Sequence, residues 1–158
     1  MPFDNCDIII YGTSNNTFLS KEYTTHIAQS NIKGGYTMEI LRASKELSTE
    51  EKYFLTMSPE IEKMSNIKGQ TISIDSWVIY TDNKSTDAEE GKTETILSIK
   101  TTLGEVFATN SATFIKEFER IIDLFAGDGM PVNFVKVAGG TSKSGRDFIT
   151  AVYANSLD

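Results

Sequence analysis

Trp77 is the one tryptophan of the chain, and it stands on the polar parity of a stretch that otherwise alternates cleanly. In Gln70–Tyr80 (QTISIDSWVIY), Ile72, Ile74, Val78 and Tyr80 fall on one face, and Thr71, Ser73, Asp75, Trp77 and Ile79 on the other. An indole so placed is a candidate stacking platform, with Tyr80 close by. Cations accompany it: Lys100 on the following strand, Lys136 on a later one, and Lys143 and Arg146 around a glycine-rich turn, with Phe148 just beyond. Rings that stack bases and cations that meet the backbone are what a single-strand binder requires. A ring among polar groups suits a sugar equally well. The competing role for Trp77 is burial beneath an acidic loop or the N-terminal segment, and for Phe107 it is the core.

Other chemistry is poorly represented. A Ser/His/Asp relay would need His26, the sole histidine, which stands in a polar stretch with no companion motif. One cysteine, Cys6, allows neither an internal disulfide nor, with one histidine, a Cys/His zinc site. The carboxylates show no metal-ligand spacing, so no metal, cofactor or catalytic constellation is expected. Gly139–Gly145 superficially suggests a phosphate loop, but Ser142 precedes Lys143 where that motif has glycine, and no helix follows. A plain hairpin tip is the competing reading there.

Strands must carry these side chains. Tyr36–Ala43, Gln70–Tyr80 and Thr93–Thr101 have strand periodicity, and Glu105–Thr109 extends again after a turn at Leu103-Gly104. Ser48 with Glu51 forms a capping box that opens a short helix through about residue 57. Tyr53 and Phe54 on it either wall a groove or plug a barrel end. Phe114, Ile115, Phe118, Ile121, Ile122 and Phe125 form a helical stripe behind the N-cap candidates Asn110 and Ser111, stopped by Gly127, Gly129 and Pro131. Val132–Val137 and Asp147–Tyr153 close the chain as a hairpin. Strand, strand, strand, helix, strand, strand is the order of the OB-fold, whose strand 2–3 face and flanking loops bind oligonucleotides or oligosaccharides. The expectation is a mainly β domain with one main helix: a five-stranded Greek-key barrel (β-β-β-α-β-β) over 34–158. Residues 1–33, polar beyond Ile8–Ile10 and closed by Gly34-Gly35, form an N-terminal extension.

With 158 residues the chain has the length of one domain, and 39% hydrophobic residues suffice for a core. No apolar run reaches the ~20 residues of a membrane span, and the first residues lack a positive signal-peptide region. A cytoplasmic protein with no membrane partner is the expectation. The net charge of −7 argues against a polyanionic ligand until its distribution is considered. Acid concentrates in 46–65, in the loop 82–90 and in 105–130, while the strands are neutral to slightly basic. A groove needs only local cations.

The segments LTMSPEIEKMSNIKGQTISIDSWVIY, ILSIKTTLGEVFATNSATFIKEFERIIDLF and VKVAGGTSKSGRDFITAVYAN resemble, in order, single-stranded-DNA-binding proteins of phages and conjugative plasmids of Gram-positive bacteria. The similarity runs over roughly 36–155 and is most specific in GEVFATNSATFIKEF and GTSKSGRDFI. It implies an OB-fold that coats single-stranded DNA without sequence preference, in replication or transfer. Residues 1–33 have no counterpart, and the acidic C-terminal tail of bacterial homologues is reduced to Ser156-Leu157-Asp158. The expected ligand is single-stranded DNA, with RNA as an alternative, bound by Trp77, Tyr80, Lys100, Lys136, Lys143, Arg146 and Phe148. Self-association through residues 1–33 is expected from the apolar triplet Ile8–Ile10, which could add to a neighbour's sheet edge. The rival classes are a protein-interaction module using acidic faces and a carbohydrate-binding barrel.

Overall fold

The structure, a computed structural model, describes residues 36–84 and 93–157. The extension 1–33, with Ile8–Ile10 and His26, and the turn of the acidic loop lie outside the described residues. Seven strands and two α-helices run in the order β1 (Tyr36–Ala43), α1 (Thr49–Thr56), β2 (Glu62–Lys63), a 3-10 turn (Met64–Ile67), β3 (Thr71–Lys84), β4 (Thr93–Thr101), β5 (Val106–Thr109), α2 (Ala112–Gly127), β6 (Phe134–Thr141) and β7 (Asp147–Ala154).

The sheet order is β2-β5-β4-β3-β6-β7, with β1 also paired to β3. The long β3 is the hinge of this arrangement. Its first residues pair with β6 and its last with β1, while β4 follows nearly its whole length. The sheet curls strongly into a half-barrel, consistent with an OB-like fold. Among the described residues there are seven strands where five were expected. The count differs because β5 is a separate strand, antiparallel to β4, and β2 pairs parallel to β5. The three-strand meander entering α2 is therefore β3-β4-β5, and β1 lies outside it.

The face assignment of β3 also differs from its sequence alternation. Its register with β4 slips between Ile74 and Ser76, making Asp75 the extra residue of a bulge. A bulge inverts the parity of everything after it. Ile72 before it and Trp77 and Ile79 after it therefore share the inner core, while Val78 and Tyr80 turn to the outer face.

Two apolar layers result. The inner one packs β3, β4, β6 and β7 against Phe114, Phe118 and Ile122 of α2, with Met64 and Ile67 of the 3-10 turn filling one end. The outer one is small: Leu47 and Leu55 from α1 and its lead-in cover Val78 and Tyr80, with Ile96 and Val106 at the margin. The capping box that starts α1 is complete, Ser48 Oγ accepting from Glu51 N–H and Glu51 accepting from Ser48 N–H. Helix α2 starts on Ser111, whose Oγ accepts from Phe114 N–H. It ends in a Schellman motif: Gly129 at φ 69° donates to Ala126 O, and Met130 N–H to Phe125 O.

Candidate nucleic-acid interface

The outer face of β3 and β4, where a stacking surface was expected, is roofed by α1. Tyr80 is only 4% exposed and belongs to the layer under Leu47 and Leu55. Trp77 is also 4% exposed, but on the opposite, inner face, a direct consequence of the bulge at Asp75. Its ring meets Phe118 edge-on at 5.4 Å, and the Arg42 guanidinium lies 5.9 Å from its centroid. In this geometry neither ring is open to a stacking base or sugar, so the carbohydrate reading loses its platform. Phe107 lies in the core as well. Lys100 is half-buried on β4 between Ser76 and Val106.

The expected residues of the β6–β7 hairpin fare differently. Lys143 and Arg146 are exposed at its tip. That tip is held by Ser142 N–H to Arg146 O at 2.8 Å and Gly145 N–H to Ser142 O at 2.9 Å, with Gly145 at φ 77°. Ser142 Oγ also accepts from Arg146 N–H. Lys136 is half-buried on β6 opposite Val152. Phe148 is 38% exposed and stands cross-strand from Gly140.

Phe148 lines a groove of about 670 Å³ along the open seam of the half-barrel. Lys63, Ser65 and Lys68 from β2 and the 3-10 turn form one bank, and Asp147, Phe148 and Ile149 of β7 the other. Ala108 to Ser111 at the end of β5, with Glu94 and Ile96 of β4, complete its wall. An exposed ring, two lysines and several hydroxyl and amide groups offer stacking, phosphate pairing and hydrogen bonds in one trough. Glu94 and Asp147 bring negative charge to the same place. Lys63 and Lys68 escaped sequence reasoning because their segment reads as an acidic helical excursion. The available signal was the pair Gly139-Gly140, read from sequence as part of the turn; the structure extends β6 to Thr141, and glycines inside a strand mark a close approach of other groups to the backbone.

Two charged clusters hold the scaffold. Arg42 on β1 donates to Glu119 at 3.1 Å and Asp123 at 2.7 Å on α2. Burial works against its charge, but the hydrogen bonds to Asp123 and Glu119 outweigh it and raise its pKa. Lys45, 2.7 Å from Glu51, with the Ser48 backbone, holds the Glu51 carboxyl well below its usual range, at about 2. Among the described residues no cluster of side chains suits a metal ion, and no helix is long and apolar enough to cross a membrane.

The described residues thus form a curled β half-barrel consistent with an OB-like fold, with Phe148, Lys63 and Lys68 lining its groove. The sequence matches the family model of the Phi29-type phage single-stranded DNA-binding protein over residues 45–153. The chain belongs to that family of phage single-stranded DNA-binding proteins. No individual curated protein matches it significantly. No solved structure does either.

Proposed function

We propose that the protein coats single-stranded DNA during phage replication, without sequence preference and without catalysis, in the host cytoplasm. The observation that carries this reading is the seam groove, which combines Phe148 with Lys63 and Lys68 in a chain of this family. Bases would stack on Phe148, and phosphates would meet Lys63, Lys68 and the hairpin-tip cations Lys143 and Arg146. The unit that does this is the five-stranded OB core β3-β4-β5-α2-β6-β7, whose β4 and β6 carry Lys100 and Lys136, together with β2 and the 3-10 turn that bring Lys63 and Lys68 to it. Trp77 supports that core from within, and Tyr80 from the outer layer under α1. Conjugative transfer and RNA binding are narrower variants of the same chemistry.

Residues 1–33 precede the matched region and form, in this proposal, an arm that links neighbouring protomers on the coated strand. Truncation of 1–33 should leave binding to a short oligonucleotide intact and lower cooperativity on a long one. Equal cooperativity and equal sedimentation of both forms would remove the arm from the proposal.

The central test is an electrophoretic shift with matched single- and double-stranded oligonucleotides over a salt series. Binding should favour the single strand, and log K should fall with log[salt] at about −0.7 per phosphate neutralised. Preference for duplex, or a salt-independent affinity, would sink the proposal.

A further inference from the structure

Gly139 and Gly140 have no side chains to offer a ligand, yet both stand where the groove's two most useful side chains pass. The pairing of β3 with β6 continues backward beyond Thr71: Val137 N–H donates to Gln70 O at 2.8 Å, and Gly69 N–H to Val137 O at 2.7 Å. That register brings Lys68 alongside Gly139. A β-carbon on Gly139 would stand 2.6 Å from Lys68 Cδ and 2.7 Å from Cγ, and would overlap Cε. On the neighbouring residue, a β-carbon on Gly140 would stand 2.8 Å from Phe148 Cζ and 3.1 Å from Cε1. Neither glycine has positive φ, so no backbone strain requires a glycine at either place. What the pair supplies is room. The lysine stem lies across bare backbone on one side of β6, and the phenyl ring lies over bare backbone on the other.

We infer that Gly139 and Gly140 form a two-sided cradle that seats Lys68 and Phe148 as one nucleotide subsite, the ammonium taking a phosphate and the ring an adjoining base. This rests on the single-strand-binding reading above and assigns within it residues that act as a unit. Both side chains line the same groove and reach it from opposite sides of one strand. A strand of DNA turning around the edge of the hairpin meets them in succession. Seated in the room the glycines leave, the exposed lysine and the partly exposed ring would have less freedom to lose on binding than side chains held clear of the backbone. Gly139 and Gly140 are positioning residues in this scheme and touch no DNA.

The test uses the full-length protein, oligo(dT) and a salt series, with melting and circular dichroism as checks of folding. Lys68→Ala should weaken binding and reduce the magnitude of the salt slope by about 0.7. Gly139→Ala should do the same with Lys68 present, because the stem is displaced, and should add nothing further in a Lys68→Ala background. Phe148→Leu should weaken binding roughly 5- to 150-fold, the range for loss of one stacked base, with an unchanged slope. Gly140→Ala, whose β-carbon displaces the ring, should weaken binding in the same way with an unchanged slope, and Phe148→Tyr should bind like the parent, which keeps the ring testable if Gly140→Ala fails to fold. A Gly139→Ala penalty equal in both backgrounds would reduce that glycine to a folding role and overturn the cradle. An unchanged slope for Lys68→Ala, or Phe148→Leu binding like the parent, would also overturn it. Failure of the parent protein to bind oligo(dT) would instead remove the function on which the inference rests.

Discussion

Trp77 shows how a single displaced residue changes the meaning of a side chain. On an unbroken strand its ring would face outward; after the bulge at Asp75 it is pinned between Phe118 and Arg42. Trp77→Ala is therefore expected to cost about 3–5 kcal/mol of stability through the cavity it leaves. The remaining folded protein should bind oligo(dT) with unchanged affinity. A melting scan and a titration of the same variant check both halves, and a stable variant with weakened binding would restore the ring to the interface. Phe148, which the structure places in the groove, was a candidate from sequence because it follows a glycine-rich cationic turn. Its groove neighbours Lys63 and Lys68 were not, because the pairing of β2 with β5 places the first and the pairing of Gln70 and Gly69 with β6 places the second, both contacts distant in sequence.

At the scale of elements, the sequence was informative wherever local chemistry decides structure. The Ser48–Glu51 capping box, the stripe of α2 and the glycine stop behind it all formed as their residue types require. Bulges, and the pairing of a two-residue strand, depend on what lies opposite, and no periodicity reports that. Deleting Asp75 should confirm the role of the bulge. With the extra residue gone, Ile74 and Ser76 would still face Thr101 and Lys100 on an unbroken ladder, Trp77 and Ile79 would stay inward and Val78 and Tyr80 outward, and the expected outcome is a folded protein with native near-ultraviolet dichroism. A variant whose indole becomes open to a fluorescence quencher would contradict the assignment. Helix α1 has its own signature in pH. Lys45 and the Ser48 cap lower the Glu51 pKa from 4.5 to about 2. A carboxyl depressed on folding stabilises above its unfolded pKa, and that contribution is lost as pH falls. The α1 cap should therefore be intact above pH 4.5 and weaken towards pH 2. The carboxyl chemical shift of Glu51 should titrate near 2, and Lys45→Met should move that midpoint upward.

Taken whole, the molecule carries a net charge of −7 while belonging to a family that binds a polyanion. The contradiction dissolves in the distribution of charge. Two lysines line the groove and two further cations stand at the hairpin tip, whereas Glu50 and Glu51 lie on α1 and Glu117, Glu119 and Asp123 on α2. Glu94 and Asp147 are the exceptions, since both face the groove. Replacing them by Glu94→Gln and Asp147→Asn should tighten oligo(dT) binding several-fold at low salt, and less at high salt, where the opposing field is screened. An affinity unchanged at every ionic strength would place the nucleic acid elsewhere on the surface.

The seam of the half-barrel has a mechanical consequence. Its banks come from opposite ends of the described chain, Lys63 and Lys68 near the beginning and Asp147 to Ile149 near the end, and among the described residues no strand pairing joins β5 to β7. Whatever lies in the trough sutures those ends. A bound strand would then serve as the missing stave of the barrel, and protection of amides in β2 and β7 against hydrogen exchange should rise together on loading. The genome being coated would be, for as long as it stays, a structural part of its own coat.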